Sequence, residues 1–269
     1  FVKENDEVVV LEPSYDIYTP LILMNGGIPV YVDLTTPGYK IDWVELNRAI
    51  TSRTKLIIFN NPHNPTGSVF GSQDLQKLQK VLNGSKILLL ADEVFEHYTY
   101  DGKTHTSVAQ YPELSNRSLI VSSIGKTFSA NGLRLGYVIA QEEIMNEFIK
   151  FHQYMVDSVN TPLQYAVASF FEHPEKLEEI SQTYQHKRDS VFSFTPAEGT
   201  YFQLMRYDKL GNERDTVIID KLLTEYGVAG VPLSSFYHGK SQVQSIRFSF
   251  MRKDDTLKQA AERLLKVQP

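Results

Sequence analysis

The sequence contains no cysteine. That absence excludes disulfides, thiolate metal sites, cysteine nucleophiles and iron–sulfur clusters. Positive charge is not in excess either: 27 Lys and Arg stand against 32 Asp and Glu, a formal net charge of −5. Proteins that grip nucleic acid carry a basic excess, so no nucleic-acid partner is expected. No apolar run approaches the about 20 residues of a membrane span, so no membrane partner is expected either. No Gly-x-Gly-x-x-Gly follows an apolar run, and no Gly-x-Ser-x-Gly elbow is present. Gly125-Lys126-Thr127 lacks the earlier glycine of a P-loop, because Ile120 stands at that position. The histidines (63, 97, 105, 152, 173, 186 and 238) form no close ligand pair, so no metal is expected. The chain begins at Phe1 rather than Met, and its first residues are no signal peptide. A cytoplasmic location is the expectation, and so abrupt a start is what a fragment would have.

What is present is an ordinary globular composition, 42% hydrophobic and 22% charged, rich enough in apolar residues to build a core. Short, mainly apolar runs occur at Val8–Leu11, Val30–Leu34, Leu56–Phe59, Ile87–Ala91 and Ser118–Val121. Such runs are the pattern of strands buried on both faces. Between them, Trp43, Leu46 and Ile50, then Leu75, Leu78 and Leu82, recur at helical steps, the second stretch closed by Gly84. Alternation of this kind predicts an α/β fold with a mainly parallel sheet sandwiched by helices. After about residue 140 the pattern changes. A helix is expected through Ile144, Phe148 and Phe151, and one long helix after Pro162 through Leu177, Ile180, Tyr184 and Val191. Strands at 200–204, 228–231 and 246–250 and helices at 217–226 and 257–264 complete a smaller α+β unit. The expected division is a large domain over 1–170 and a small C-terminal domain over 171–269.

In open parallel sheets, ligands bind beyond the carboxyl ends of the strands. Here four apolar runs end in polar clusters: Glu12-Pro13-Ser14-Tyr15, Asn60 to Gly67, Asp92-Glu93, and Ser122 to Thr127. Together they predict one shared pocket. A lysine beside small residues at such a strand end suits Schiff-base chemistry, since a desolvated amine attacks carbonyls. A buried carboxylate such as Asp92 needs a cationic partner. Pyridoxal phosphate supplies both an aldehyde for Lys126 and a protonated ring nitrogen for Asp92.

The motifs at 61–67 (Asn-Pro-His-Asn-Pro-Thr-Gly), 92–95 (Asp-Glu-Val-Phe), 122–128 (Ser-Ser-Ile-Gly-Lys-Thr-Phe) and 132–136 (Gly-Leu-Arg-Leu-Gly) resemble the class I/II aminotransferases of fold type I. Glu-Pro-Ser-Tyr-Asp at 12–16, Ser-Val-Asn-Thr-Pro at 158–162 and Glu-Gly-Thr-Tyr-Phe at 198–202 look closest to the kynurenine, glutamine and methionine aminotransferase branch. The resemblance covers essentially the whole chain. It implies that Lys126 carries the cofactor as a Schiff base and moves the substrate proton, and that Asp92 keeps the ring nitrogen protonated. It implies that Asn64 bonds the cofactor's phenolic oxygen, that Tyr15 stacks on its ring, and that Arg134, assisted by Ser123, holds its phosphate. Arg247 would pair with the substrate α-carboxylate, with Asn160 and Tyr15 contributing. The substrates would be an amino acid, large apolar, thioether, aromatic or glutamine-like, and a 2-oxo acid. Tyr15, Tyr201, Phe202 and Phe236 are candidates for its wall. The family is usually homodimeric.

Three departures accompany the resemblance. Phe95 stands where the family usually has a tyrosine that donates to the phenolic oxygen. Relatives carry a preceding segment with a phosphate-binding helix N-terminus. Between about 193 and 196 the stretch before Pro196 is shorter than in relatives. A lyase on the same cofactor, eliminating at Cβ of cysteine conjugates, and a non-enzymatic sensor domain are the alternatives. Both use the same pocket.

Overall fold

Apolar runs become interior strands when both faces of a sheet are covered. The structure, a computed structural model, describes residues 1–173, 175–191, 194–208, 211–239 and 243–267. Its first part comprises β1 (Glu7–Glu12), α1 (Tyr18–Met24), β2 (Ile28–Asp33), α2 (Trp43–Ala49), β3 (Thr54–Asn60), α3 (Ser72–Leu82), β4 (Leu88–Asp92), α4 (Pro112–Ser115), β5 (Ser118–Ser123), α5 (Ile124–Thr127) and β6 (Gly136–Ile139). Then follow α6 (Glu142–Val156), α7 (Thr161–Phe171), α8 (Glu175–Val191), β7 (Phe202–Arg206), α9 (Asp215–Tyr226), β8 (Val231–Pro232), β9 (Ser245–Ser249) and α10 (Asp254–Leu264).

The large sheet has the order β2-β1-β3-β4-β5-β6. Its first five strands are parallel and β6 runs antiparallel to β5. β1 explains the unbroken apolar runs. Val9 and Leu11 enter one core with Ile57, Phe59, Leu75, Leu78 and Leu89. Val8 and Val10 enter the opposite one with Tyr18, Ile22, Leu56 and Ile58. A strand so placed has no polar face to show. A second sheet, β7-β9-β8, is antiparallel and packs on Ile218 and Leu222 of α9 and Leu264 of α10. Between the sheets lies an aromatic cluster of Phe95, Tyr98, Tyr100, Tyr184, Tyr201, Phe202 and Phe250. The fold is therefore α/β, with a mainly parallel sheet and a smaller α+β unit.

Two expectations change. The single long helix is two, α7 and α8, interrupted after Phe171. Pro174 explains the interruption, because proline lacks an N–H and disfavours helical backbone in the residue before it. The strand expected at 228–231 begins only at Val231, where pairing with Arg247 starts. The shortened stretch expected at about 193–196 begins outside the described residues.

Candidate active site

The parallel order brings the carboxyl ends of β1, β3, β4 and β5 to one edge. Asn60 and Asp92 are paired neighbours there, the last residues of β3 and β4. The Asp92 side chain is buried and accepts from the Tyr18 hydroxyl and, at 3.3 Å, from the Val94 N–H. Burial pushes its carboxyl above the usual range, while the Tyr18 hydroxyl, the Val94 N–H and the charge of Lys126 pull the other way. Lys126 sits in the short α5 directly after β5. Its Nζ lies 6.0 Å from the centre of the Tyr201 ring, and among the described residues it has no carboxylate within salt-bridge reach. The Tyr98 hydroxyl holds the Lys126 carbonyl at 2.6 Å.

The loop after β3 is fixed by its own amides. Asn60 Nδ2 donates to the Asp92 carbonyl at 2.9 Å, and Asn60 Oδ1 accepts the Asn64 N–H at 2.7 Å. Asn61 bonds both the carbonyl and the N–H of Phe70, at 3.0 and 2.9 Å, closing the loop upon itself. His63, pushed down to about 3 by burial, is neutral and bonded to Thr66 at 2.8 Å. Asn64 is thereby presented to the second sheet, where its Oδ1 accepts from Arg247 at 2.7 Å.

Arg247 lies in β9, opposite Leu204 of β7. Its guanidinium is held between two rings, 3.9 Å from the centre of Phe202 and 4.4 Å from that of Phe236. Burial brings it down to about 10. Asp16 lies close enough to oppose that shift, yet among the described residues no carboxylate forms an ion pair with Arg247. A planar cation packed against two rings turns its remaining N–H edge to ligands, and that edge matches a carboxylate.

Comparison with known proteins decides the family. Residues 1–264 match the family described as aminotransferase class I and II. The chain belongs to the class I and II aminotransferases. A methionine aminotransferase of Escherichia coli is 38% identical over 272 residues, which cover 98% of this chain and 70% of that protein. A kynurenine–oxoglutarate transaminase of Dictyostelium discoideum is 37% identical over 314 residues, covering 99% of this chain and 72% of its own length. Among solved structures, one of an Escherichia coli methionine aminotransferase superposes with a TM-score of 0.95 at 38% identity, over 98% of this chain and 71% of the other. Pyridoxal phosphate is the cofactor of this family, and the chain is a transaminase of that type. The relatives named here are transaminases, and they lend nothing to the lyase or sensor alternatives.

The aminotransferase fold brings Asp92, Asn64 and Arg247 into one network, with Lys126 close enough to Asp92 to influence its charge. Tyr15 joins it edge-on, its ring 5.6 Å from that of Tyr18. Ser123 precedes α5, half-buried, and makes no side-chain capping bond. Arg134 is exposed, in left-handed backbone, and donates to the Asn131 carbonyl at 3.0 Å. Asn160 caps α7 by accepting the Leu163 N–H at 3.1 Å, and its described side-chain bonds do not reach the network. Tyr18 and Tyr98 lie outside the residues expected at the pocket, and Asn60 lies within the expected 60–67 cluster but without an expected role. The signal for Tyr18 is its place three residues after Tyr15, across the turn that its N–H closes on the Tyr15 carbonyl at 3.2 Å. Asn60 carries a signal as a polar residue ending an otherwise apolar strand.

Proposed function

We propose that this aminotransferase passes the amino group of a large apolar or thioether amino acid, methionine foremost, to a 2-oxo acid, with aromatic and glutamine-like amino acids also accepted. The observation that carries the reading is Arg247. It is an arginine packed against two aromatic rings, bonded to Asn64, with no anionic partner of its own among the described residues. A substrate α-carboxylate satisfies it. Phe202 and Phe236 then border the substrate with apolar surface. Two of the relatives named above are a methionine aminotransferase and a kynurenine–oxoglutarate transaminase, which supports the substrate class.

When bound, pyridoxal phosphate supplies an aldehyde that takes up amines and a ring that withdraws electrons from the bond being broken. The residues present fit it. Asp92 is a buried acid whose described partners are donors without a direct ion pair, as a carboxylate facing a protonated ring nitrogen must be. Lys126 is the amine that would hold the aldehyde carbon and would move the proton of the amino acid Cα. Asn64, with Oδ1 engaged by Arg247, has its Nδ2 for the phenolic oxygen. Tyr15 would cover the ring face, and Ser123 and Arg134 would hold the phosphate. Asn160, whose Oδ1 caps α7, would assist Arg247 at the carboxylate through its Nδ2. The large domain over 1–170 holds the cofactor, and the small one over 171–269 carries Arg247.

The same reading makes the protein a cytoplasmic homodimer. The absence of cysteine supports the compartment. Exposed apolar side chains support self-association, among them Leu21, Leu23 and Met24 of α1 and Phe151, Tyr154 and Met155 of α6. No helix among the described residues is long and apolar enough to cross a membrane.

The test is the visible absorption of the protein with pyridoxal phosphate, before and after L-methionine. The expected result is a band that bleaches with methionine, returns with a 2-oxo acid and is lost in Lys126→Ala. A band indifferent to every amino acid would overturn the transaminase, and no band at all would overturn Lys126.

A further inference from the structure

Three groups build the Arg247 clamp, and they are not equally fixed. Arg247 and Phe202 are carried by neighbouring strands of one sheet. Phe236 ends a short 3-10 turn, Leu233–Phe236, outside any strand. It is held from the other side. The Phe236 carbonyl accepts the Ser14 N–H at 2.8 Å, and the His238 N–H donates to Glu12 Oε1 at 2.6 Å. The two bonds grip Phe236 and His238 from the end of β1, and the His238 ring stacks on Tyr31 of β2 at 4.5 Å. Ser14 contributes only backbone, so any residue but proline serves there. Glu12 contributes its side chain.

We propose that Glu12 is a positioning residue for substrate binding: its carboxylate anchors the 236–238 segment through the His238 N–H and so keeps Phe236 on the face of Arg247. This rests on Arg247 being the carboxylate site. Two observations support it beyond the contact. Glu12 is 5% exposed, where an acid is costly to retain. It also points to the small sheet's loop and has no cation within salt-bridge reach among the described residues, so ion pairing does not account for it.

The experiment uses the full protein loaded with pyridoxal phosphate and 4-(methylsulfanyl)butanoate, methionine without its amino group, titrated by calorimetry. This probe reads the carboxylate clamp without amino-group chemistry. Glu12→Ala is expected to weaken binding about tenfold, the scale of one lost buried hydrogen bond, while the cofactor's absorption is unchanged. Glu12→Gln, whose carbonyl still accepts the N–H, is expected to stay within about twofold of the parent. Glu12→Asp, one methylene short, is expected to behave as Glu12→Ala does, and it decides the matter if the alanine variant fails to fold. Parent-like binding by Glu12→Asp, or equal loss in Glu12→Gln and Glu12→Ala, would overturn the proposal. Arg247→Ala separates the two layers of the argument. If it binds the probe as the parent does, the carboxylate assignment fails, and this proposal with it. If it loses the probe while Glu12→Asp retains it, only Glu12 is wrong.

Discussion

Asp92 is where burial and charge meet most sharply. Its carboxyl is raised by desolvation, yet the Tyr18 hydroxyl, the Val94 N–H and Lys126 all favour the ionised form. Asp92→Asn keeps the shape and removes the charge. Turnover with methionine should fall by about 10²–10³, the scale of losing one preorganised electrostatic group, with the fold intact by circular dichroism. Retention of turnover within a few-fold would remove Asp92 from the mechanism. Glu12 gives a prediction in pH. Its carboxyl is raised from 4.5 to about 7, first by burial, with the His238 N–H opposing and Asp33 adding to it. The folded chain therefore binds this proton more tightly than the unfolded one. The contribution is fully present below about 4.5 and is lost as pH rises through about 7. Urea midpoints of Glu12→Gln should fall less between pH 5 and pH 8 than those of the parent; equal slopes would place the raised group elsewhere. Residues of this kind divide by legibility. Lys126, Asp92 and Asn64 stand in motifs at strand ends and could be read directly. Tyr18 could not, because its role depends on α1 folding back over β4, a contact between residues 74 apart in the chain.

The loop between β3 and α3 is the element that turns strand ends into a site. It is tied at both ends by asparagines and it turns back at Gly67, whose φ is +72°. A Cβ there would lie 2.7 Å from the Cβ of Ala197 and 3.1 Å from the Gly199 carbonyl. Gly67→Ala therefore meets both a left-handed backbone penalty and a clash with the segment preceding β7. We expect a loss of about 1–3 kcal/mol in unfolding free energy and a raised KM for methionine, since Asn64 lies in the same loop. An unchanged melting temperature would show that the loop can yield. Elements also show why the sequence was only partly readable. β1, β3, β4 and β5 were visible because burial on both faces writes an apolar run, and the edge strand β2, only partly covered, showed through Val30-Tyr31-Val32. β6 was not: Gly136–Ile139 is four residues long and antiparallel. The split between α7 and α8 was missed because apolar residues continue at helical steps on both sides of it, and one proline outweighs that pattern.

At the scale of the whole molecule, the question is what docks the small sheet so that Arg247 reaches Asn64. Arg188 of α8 is central. Its guanidinium is 3% exposed and forks onto Asp101 at 2.7 and 2.8 Å, bonds Asp189 at 2.7 Å and the Ala197 carbonyl at 2.6 Å, and lies 5.0 Å from the Tyr100 ring centre. These bonds join α8 to the loop after β4 and to the segment that packs on Gly67. From there the path runs through the 61–70 loop to Asn64 and Arg247. Removing a buried charge and leaving its partners behind costs about 3–5 kcal/mol. Asp101 is about half exposed and can be rehydrated, so Arg188→Met should fall at the lower end, about 3 kcal/mol by urea unfolding. Asp101→Asn should cost less, because Asp189 and the Ala197 carbonyl still hold the guanidinium. If the network transmits position as well as stability, Arg188→Met should also raise the KM for methionine at temperatures where the variant is fully folded, with cofactor absorption unchanged. Equal destabilisation by the two substitutions would show that the Asp101 pair alone matters. A parent-like KM would show that Arg188 ties the sheets together without setting the distance between them.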